Sequence, residues 1–211
     1  MSLRLLMDTA AALRDLHSLD YFIWDDFLNS AEVATVVMDY QTIYERGSFH
    51  VARTGKIPVP RNSDVLIRTD ETYWLNPIDL TSSQALFWNR LELLKLEINE
   101  KFLLGLWSLD GHYSKYEING SYRRHLDRFK DDDLRTISMI LYFNSEWCVG
   151  DGGELRMHFP GKQPDTLDIA PLGGRLVCFL SSIVQHEVLV AHKTRRSFAG
   201  WWNRRAIERQ D

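Results

Sequence analysis

The hydrophobic pattern of this 211-residue chain changes its period near Gly105. Upstream of that point apolar residues recur every three or four positions, as on one face of a helix, and downstream they alternate, as in strands. In the segment RTISMILYFN, one face would carry Ile137, Met139, Leu141 and Phe143, and the other Ser138, Ile140 and Tyr142. The segments GELRMHF, GGRLVCFLSS and RRSFAGWW, bounded by turn residues, also predict strands. We therefore expect helices in front of a β-rich half.

Three helices are predicted before Gly105. The segment MSLRLLMDTAAALRDLH favours an amphipathic helix rather than a signal peptide, because its apolar stretch is short and acidic residues come early. A second helix should run from Asn29 to Arg46, since Asn29 and Glu32 match a capping box. Its predicted apolar stripe is Val33, Val37, Tyr40 and Tyr44. A third should run from Ser82 to Leu104 and end at Gly105, with apolar residues at Phe87, Leu91, Leu94, Ile98 and Phe102.

The order of these elements predicts the fold class. Short strands after a helical front half favour an α+β protein with a mainly β core, a jelly roll of two sheets with N-terminal supporting helices. We expect a single domain over residues 1–211, because the chain has no internal linker and 45% of its residues are hydrophobic. No apolar segment reaches membrane-spanning length.

Charge and cysteine content restrict the environment and the partners. The formal net charge is −4, so no overall positive field draws the chain to nucleic acid or anionic lipid. Cys148 and Cys178 lie in apolar or aromatic surroundings, which favours reduced packing residues over a disulfide. This use of cysteine indicates a reducing compartment, and we expect a cytoplasmic protein.

His125, Asp127 and His186 form the principal candidate metal site. Residues i and i+2 of a strand point to the same side, so an imidazole and a carboxylate can reach one ion. His186 lies 61 residues downstream, at the end of the predicted GGRLVCFLSS strand, and a jelly roll can bring it beside them on a neighbouring antiparallel strand. Two imidazoles and one carboxylate on one face of the metal are typical of non-haem Fe(II) oxygenases, since the opposite face remains open.

Two further residues support a site for an anionic co-substrate. Arg195 follows His186 by nine residues, and an arginine buried in a barrel requires an anionic partner such as a dicarboxylate. Tyr142, predicted to point inward, can donate its hydroxyl to the same carboxylate. Because neighbouring strand residues alternate faces, Arg196 is the alternative to Arg195. The other histidines, which lack suitable spacing and are expected to be structural or exposed, are His17, His50, His112, His158 and His192.

The His-x-Asp pair alone has little specificity. With seven histidines and 29 acidic residues, one such pair is expected by chance, and a solvated turn pair is the alternative for His125 and Asp127. A cupin-like metal-binding or sugar-binding module without turnover is therefore a competing interpretation. A nucleic-acid demethylase is another, because Arg195, Arg196, Arg204 and Arg205 form a basic cluster.

The segment 116–205 resembles the Fe(II)- and 2-oxoglutarate-dependent dioxygenases of the prolyl hydroxylase type, particularly bacterial relatives of the oxygen-sensing prolyl hydroxylases. The matching stretches are YRRHLD, ISMILYFN, EW followed by GDGGELR, GGRLVCFLS, HEVLVAHKTRRSFAGWW and NRR. Weaker matches in the front half are DDFLN and IRTDETYWL. The resemblance implies a double-stranded β-helix, with residues 1–110 as helical support and substrate loop and residues 111–205 as catalytic core.

The resemblance also implies roles for individual residues. His125, Asp127 and His186 would bind Fe(II), Arg195 and Tyr142 would hold the far carboxylate of 2-oxoglutarate, and Tyr116 would bond near its chelating end. Ala199 stands where some relatives have a threonine beside the co-substrate. A substrate loop would lie at about Val51 to Leu66, with an ordinary solvated connection as the alternative.

The implied reaction consumes O2 and 2-oxoglutarate, with ascorbate as an additional candidate cofactor, and hydroxylates a C–H bond with release of succinate and CO2. The expected partner is a protein or peptide that carries a target proline. A free amino acid or another small molecule is the alternative substrate, and neither a membrane nor nucleic acid is expected as a partner.

Overall fold

The computed structural model describes residues 3–52, 67–128 and 134–205, which contain three helices and eleven strands. The helices are α1 (Leu3–Leu19), α2 (Ser30–Glu45) and α3 (Ser82–Phe102). The first strands are β1 (Tyr21–Trp24), β2 (His50–Val51), β3 (Glu71–Trp74), β4 (Leu106–Tyr116), β5 (Tyr122–His125) and β6 (Arg135–Tyr142). The remaining strands are β7 (Leu155–His158), β8 (Thr166–Ile169), β9 (Leu176–Leu180), β10 (Gln185–Val188) and β11 (Arg195–Arg204).

The strands form two antiparallel sheets. The larger sheet has the order β1-β9-β6-β11-β4-β3-β2, and the smaller sheet has the order β5-β10-β7-β8. Non-consecutive neighbours such as β6 and β11 produce the crossed connections of a jelly roll. The predicted α+β fold with a mainly β core, a double-stranded β-helix supported by N-terminal helices, is confirmed.

Strand β6 contributes to hydrophobic clusters on both of its faces. Ile137, Met139, Leu141 and Phe143 pack in a cluster with buried residues of α2 and α3. Ile140 and Tyr142 pack between the sheets with Leu155, Met157, Ile169 and other buried residues. The alternation read from RTISMILYFN is thus confirmed, and it places Tyr142 inside the jelly roll.

Helix α2 begins as the sequence predicts. Asn29 and Glu32 make the reciprocal bonds of a capping box. The predicted apolar stripe is partly wrong, since the buried residues are Val33, Val36, Tyr40 and Ile43. Val37 and Tyr44 are only half-buried at the edge of this face. A helix advances by 100° per residue, so the neighbouring row of side chains, and not the predicted one, faces the sheet directly.

Helix α3 ends earlier than Gly105. Leu103 adopts a left-handed conformation (φ 55°), so the predicted end at Leu104 is wrong. Both the side-chain amide nitrogen and oxygen of Asn99 bond to the backbone of Leu106, which draws the chain away from the helix axis. The helix start and the four buried positions Phe87, Leu91, Leu94 and Ile98 match the prediction.

Both cysteines are free. Cys178 is buried in the core, as predicted, and burial raises the pKa of its thiol. Cys148 is exposed, so its predicted packing role is wrong. Among the described residues, no helix combines the length and apolar character needed to cross a bilayer.

Candidate active site

His125 and His186 lie directly opposite each other on β5 and β10 of the smaller sheet. Their ring centroids are 4.3 Å apart, and one ligand atom from each histidine and from Asp127 lies within 4.8 Å of the others. His186 belongs to β10, so its predicted position at the end of the GGRLVCFLSS strand is wrong. The chain turns between β9 of the larger sheet and β10 of the smaller sheet, so His186 lies in the smaller sheet.

Asp127 reaches the two imidazoles from outside the strand. Strand β5 ends at His125, so the expectation that His125 and Asp127 share a strand face is wrong. The following bend nevertheless places the carboxylate oxygens 3.4 Å from Nε2 of His125 and 3.7 Å from Nε2 of His186. The three ligand atoms therefore converge on one point.

Backbone bonds orient both imidazoles. Nδ1 of His125 lies 2.7 Å from the carbonyl oxygen of Arg123, and Nδ1 of His186 lies 3.2 Å from that of Val184. A carbonyl oxygen only accepts, so each Nδ1 carries the proton and each Nε2 turns its lone pair towards Asp127. The ring of Tyr122 also stacks on His125, with centroids 3.8 Å apart and planes inclined by 19°. Such support is usual for histidines that bind a metal.

The charge state of the cluster suits a divalent cation. Burial disfavours the charged form of Asp127, but the neighbouring His186 and His125 outweigh this effect and hold the pKa of the carboxyl well below its usual range. Burial lowers the pKa of His186 to about 4, so its imidazole is neutral at pH 7. An ionised carboxylate beside neutral imidazole is the donor set that Fe(II) requires.

A cavity of about 440 Å³ opens beside this cluster, between the two sheets. Alternate residues of two paired strands of the large sheet line it: His112, Ser114 and Tyr116 from β4, and Arg195, Ser197, Ala199 and Trp201 from β11. Ile140, Leu155 and Val188 from other strands add apolar surface, and Arg68 and Arg135 also line the cavity. The His-Asp-His cluster and the candidate co-substrate residue Arg195 thus share one cavity.

Arg195 is buried without an acidic partner. The side chain is 2% exposed, and it donates from Nε to the carbonyl oxygen of Gly153 at 2.9 Å and from Nη1 to Oγ of Ser197 at 3.2 Å. No carboxylate of the described residues pairs with it. A buried guanidinium with unused donors favours an anionic ligand in the cavity. The alternative, Arg196, does not line this cavity.

Two tyrosines lie against Arg195. The guanidinium carbon is 4.9 Å from the ring centroid of Tyr142 and 5.2 Å from that of Tyr116. Burial raises the pKa of both phenols, so they are protonated donors at pH 7. The hydroxyl of Tyr142 is buried and has no hydrogen-bond partner among the described residues. An orphaned buried donor beside an unpaired guanidinium fits a carboxylate of 2-oxoglutarate.

The sequence did not identify every residue that lines the cavity. His112 lines the cavity although it lacks metal-ligand spacing. His112 lies two residues before Ser114 and four before Tyr116, and alternation along a strand places all three on one face. This spacing could have predicted that His112 faces the same cavity as Tyr116. Arg68, which pairs with the fully buried Asp70 and lies over the ring of Tyr122, was also missed, because only tertiary structure brings these residues together.

The remaining sequence predictions fall elsewhere. His17, His50 and His192 are exposed, and His158 bonds to Glu187. The predicted substrate loop, with Arg53, Lys56 and Arg61, lies almost entirely outside the described residues, which stop at Ala52 and resume at Ile67.

Comparison with known proteins agrees with this site. The model of the 2OG-Fe(II) oxygenase superfamily matches residues 111–203. The crystal structure of a Pseudomonas putida prolyl-4-hydroxylase is 34% identical, with a TM-score of 0.83, and the match covers 94% of this chain and 100% of that one. A prolyl hydroxylase from Trichoplax adhaerens, solved with a hypoxia inducible factor peptide fragment, is 21% identical with a TM-score of 0.82, over 96% of this chain and 93% of that one.

A hypoxia-inducible factor prolyl hydroxylase of Caenorhabditis elegans is 28% identical over 214 residues, which cover 96% of this chain but only 29% of that protein. Fold and donor set together define a non-haem metal oxygenase of the double-stranded β-helix class. The chain belongs to the 2OG-Fe(II) oxygenase superfamily and is of the prolyl 4-hydroxylase type. This confirms the resemblance seen in the sequence, and the family implies Fe(II), 2-oxoglutarate and O2.

Proposed function

We propose that the protein is an Fe(II)- and 2-oxoglutarate-dependent dioxygenase that hydroxylates a prolyl residue of a protein or peptide. In this reaction one oxygen atom of O2 enters the prolyl C–H bond, the other enters succinate, and CO2 leaves. The observation that carries the proposal is the unpaired, buried Arg195 in the same cavity as His125, Asp127 and His186.

The residues of the cavity divide the work of binding and positioning. His125, Asp127 and His186 would hold the iron, and Arg195 with Tyr142 would fix the far carboxylate of 2-oxoglutarate by charge-assisted bonds. Tyr116 would donate near the chelating end of the co-substrate. When bound, Fe(II) supplies the redox chemistry that activates O2. The apolar residues of the wall, Ile140, Leu155 and Val188, would limit the access of water, so that the oxidant meets the intended C–H bond.

A prolyl substrate is supported by relatives and by the shape of the cavity. The relatives from Pseudomonas putida and Caenorhabditis elegans are named as prolyl hydroxylases. The cavity wall also includes the aromatic residues Trp74, Tyr122 and Trp201, and a pyrrolidine ring packs well against aromatic surfaces. A free amino acid is the alternative substrate, and it predicts oxygen transfer without a flanking peptide.

The non-catalytic metal module and the demethylase are less well supported. A metal module has no need for a carboxylate anchor such as Arg195 beside Tyr142. A demethylase would use its basic cluster for phosphate, but Arg195 of that cluster is 2% exposed inside the cavity.

We further propose that residues 1–211 act as one catalytic domain, with 1–110 as support and 111–205 as core. The free cysteines fit a cytoplasmic setting, and a role for ascorbate stays a prediction.

Turnover with proline-containing peptides tests the proposal. Wild-type protein with Fe(II), 2-oxoglutarate and O2 should release succinate and add one oxygen atom to a prolyl residue, as mass spectrometry can show. His125→Ala should abolish both signals, whereas the matched control His158→Ala should retain them, because His158 bonds to Glu187 and does not line the cavity. Succinate release that survives His125→Ala would contradict the proposed site. Oxygen found on free proline but on no peptide would favour the small-molecule alternative.

A further inference from the structure

A histidine that takes no part in the proposed metal site faces the same cavity. His112 is 3% exposed and lies on β4, where its strand neighbours are Trp74 on β3 and Ala199 on β11. The rings of Trp74 and Trp201 both contact the imidazole, with centroids 4.8 Å and 5.6 Å away. Trp74 is 52% exposed, so this group forms part of the entrance to the cavity.

The hydrogen bonds of His112 use only one of its two nitrogens. Nδ1 lies 3.2 Å from the carbonyl oxygen of Tyr113 and 3.0 Å from Oγ of Ser114. The carbonyl oxygen only accepts and the Ser114 hydroxyl can also accept, so both contacts are satisfied when Nδ1 carries the proton. In that tautomer Nε2 of the neutral ring is a hydrogen-bond acceptor. Nε2 has no partner among the described residues. Nε2 is also not among the fully buried atoms that lack a partner, so the cavity gives access to it, and it can accept from a donor of a ligand.

The sheet register separates His112 from the co-substrate anchor along β4. Arg195 pairs with Tyr116, and His112 lies four residues along β4 from Tyr116, or about 13 Å of strand. Ala199 separates His112 from Ile140 in the same register row, and its small side chain leaves space above the sheet. A ligand that enters past the exposed Trp74 would therefore pass close to the imidazole of His112.

We propose that His112 is a specificity-determining residue that accepts a hydrogen bond from a backbone N–H of the peptide substrate. This inference rests on the proposed function. A prolyl residue within a chain has no N–H, so the donor must be the amide of a residue that flanks the target proline. His112 would thus disfavour a second proline at that flanking position and would position the target ring without taking part in the chemistry.

Burial keeps His112 in the required state. Burial, followed by the charge of Arg68, lowers the pKa of His112 to about 4, so the ring is neutral at pH 7. Asp70 opposes this shift, and Arg135 adds to it. A neutral Nδ1–H ring accepts through Nε2, whereas a protonated ring would repel an N–H donor.

Ester-for-amide substitution in the substrate tests this contact. The probe is the best substrate from a synthetic peptide library with one central proline, remade with an ester in place of the amide at each flanking residue in turn. An ester removes the N–H and keeps the chain shape. For the wild type we expect one of the esters to lower kcat/KM by about 5- to 10-fold, mainly through KM.

Two variants distinguish a hydrogen bond from packing. His112→Phe keeps the ring contacts with Trp74 and Trp201 but has no acceptor, so it should process that ester and its parent amide peptide equally. His112→Gln retains an acceptor and should recover part of the discrimination. A purely structural role would instead lower the rate for all peptides and leave the ester effect in place.

The outcomes separate this inference from the proposed function. A wild type that hydroxylates the amide peptides but is indifferent to every ester, or a His112→Phe variant with the wild-type ester effect, would overturn the role of His112 alone. A wild type that hydroxylates no peptide would overturn the proposed function and this inference with it. As a direct check, 15N NMR of the Zn(II)-loaded protein should show the Nδ1–H form of His112, and an Nε2–H form would refute the acceptor role.

Discussion

Replacement of Arg195 by lysine tests the carboxylate anchor without removing its charge. Arginine has five N–H donors, of which Arg195 uses one for Gly153 and one for Ser197, so three remain for a ligand. Lysine carries a compact ammonium group and cannot form the planar pair of bonds that a guanidinium makes with a carboxylate. Arg195→Lys should therefore retain the attraction and lose the bidentate geometry.

The structure sets the size of the expected effect. Loss of one charge-assisted hydrogen bond costs about 1.5–3 kcal/mol, which corresponds to about a 10- to 150-fold higher Kd for 2-oxoglutarate. Arg195→Ala removes the charge as well and should weaken the binding free energy of 2-oxoglutarate by about 3–5 kcal/mol. High concentrations of 2-oxoglutarate should restore part of the turnover in both variants, since the metal ligands are unchanged.

Calorimetric titration of 2-oxoglutarate into Mn(II)-loaded protein measures this binding without turnover. Arg196→Lys is the matched control, because Arg196 is the next residue along β11 and does not line the cavity. Its Kd should equal that of the wild type. An unchanged Kd in Arg195→Lys and Arg195→Ala, or an equal loss in Arg196→Lys, would refute the assignment of the anchor.

Three further predictions concern single side chains. Tyr142→Phe removes a buried hydroxyl that has no partner among the described residues, so the free energy of unfolding should stay the same or rise slightly. The Kd for 2-oxoglutarate should rise about 3- to 10-fold, and an unchanged Kd would contradict the role of Tyr142. Burial lowers the pKa of His112 from 6.5 to about 4, so the unfolded state binds more protons between these values. From pH 7 to pH 4, the free energy of unfolding of the wild type, measured with denaturant, should fall by about 3 kcal/mol more than that of His112→Phe. Parallel pH profiles of the two proteins would contradict this. A Cβ at Gly111 would lie 2.4 Å from the ring of Phe198, so Gly111→Ala should lower the free energy of unfolding by about 1–3 kcal/mol, and an unchanged Tm would argue against the packing seen there.

Local signals in the sequence predicted much of the fold. Capping residues fixed the start of α2, where Asn29 and Glu32 bond as expected. Strict alternation fixed the two faces of β6, because a strand buried on both sides still sends successive residues to different layers. His125, Asp127 and His186 were recognised because residue type and order together matched a metal donor set, and the structure brings them together.

The missed features depend on tertiary structure. Whether Asp127 continues β5 or leaves it in a bend is decided by packing at the end of the sheet, and no local pattern in YRRHLD encodes it. The end of α3 depends on bonds between Asn99 and Leu106, which form only when β4 is in place. His112 has no spacing suited to a metal site, and its position on the cavity wall follows from the pairing of β4 with β11.

The central claim is that His125, Asp127 and His186 bind one iron. Anaerobic dialysis against Fe(II), followed by metal analysis, measures this directly. We predict one Fe(II) per chain for the wild type and for the control His158→Ala, and loss of the bound metal in His125→Ala, Asp127→Ala and His186→Ala. Retention of one Fe(II) per chain in all three ligand variants would contradict the account.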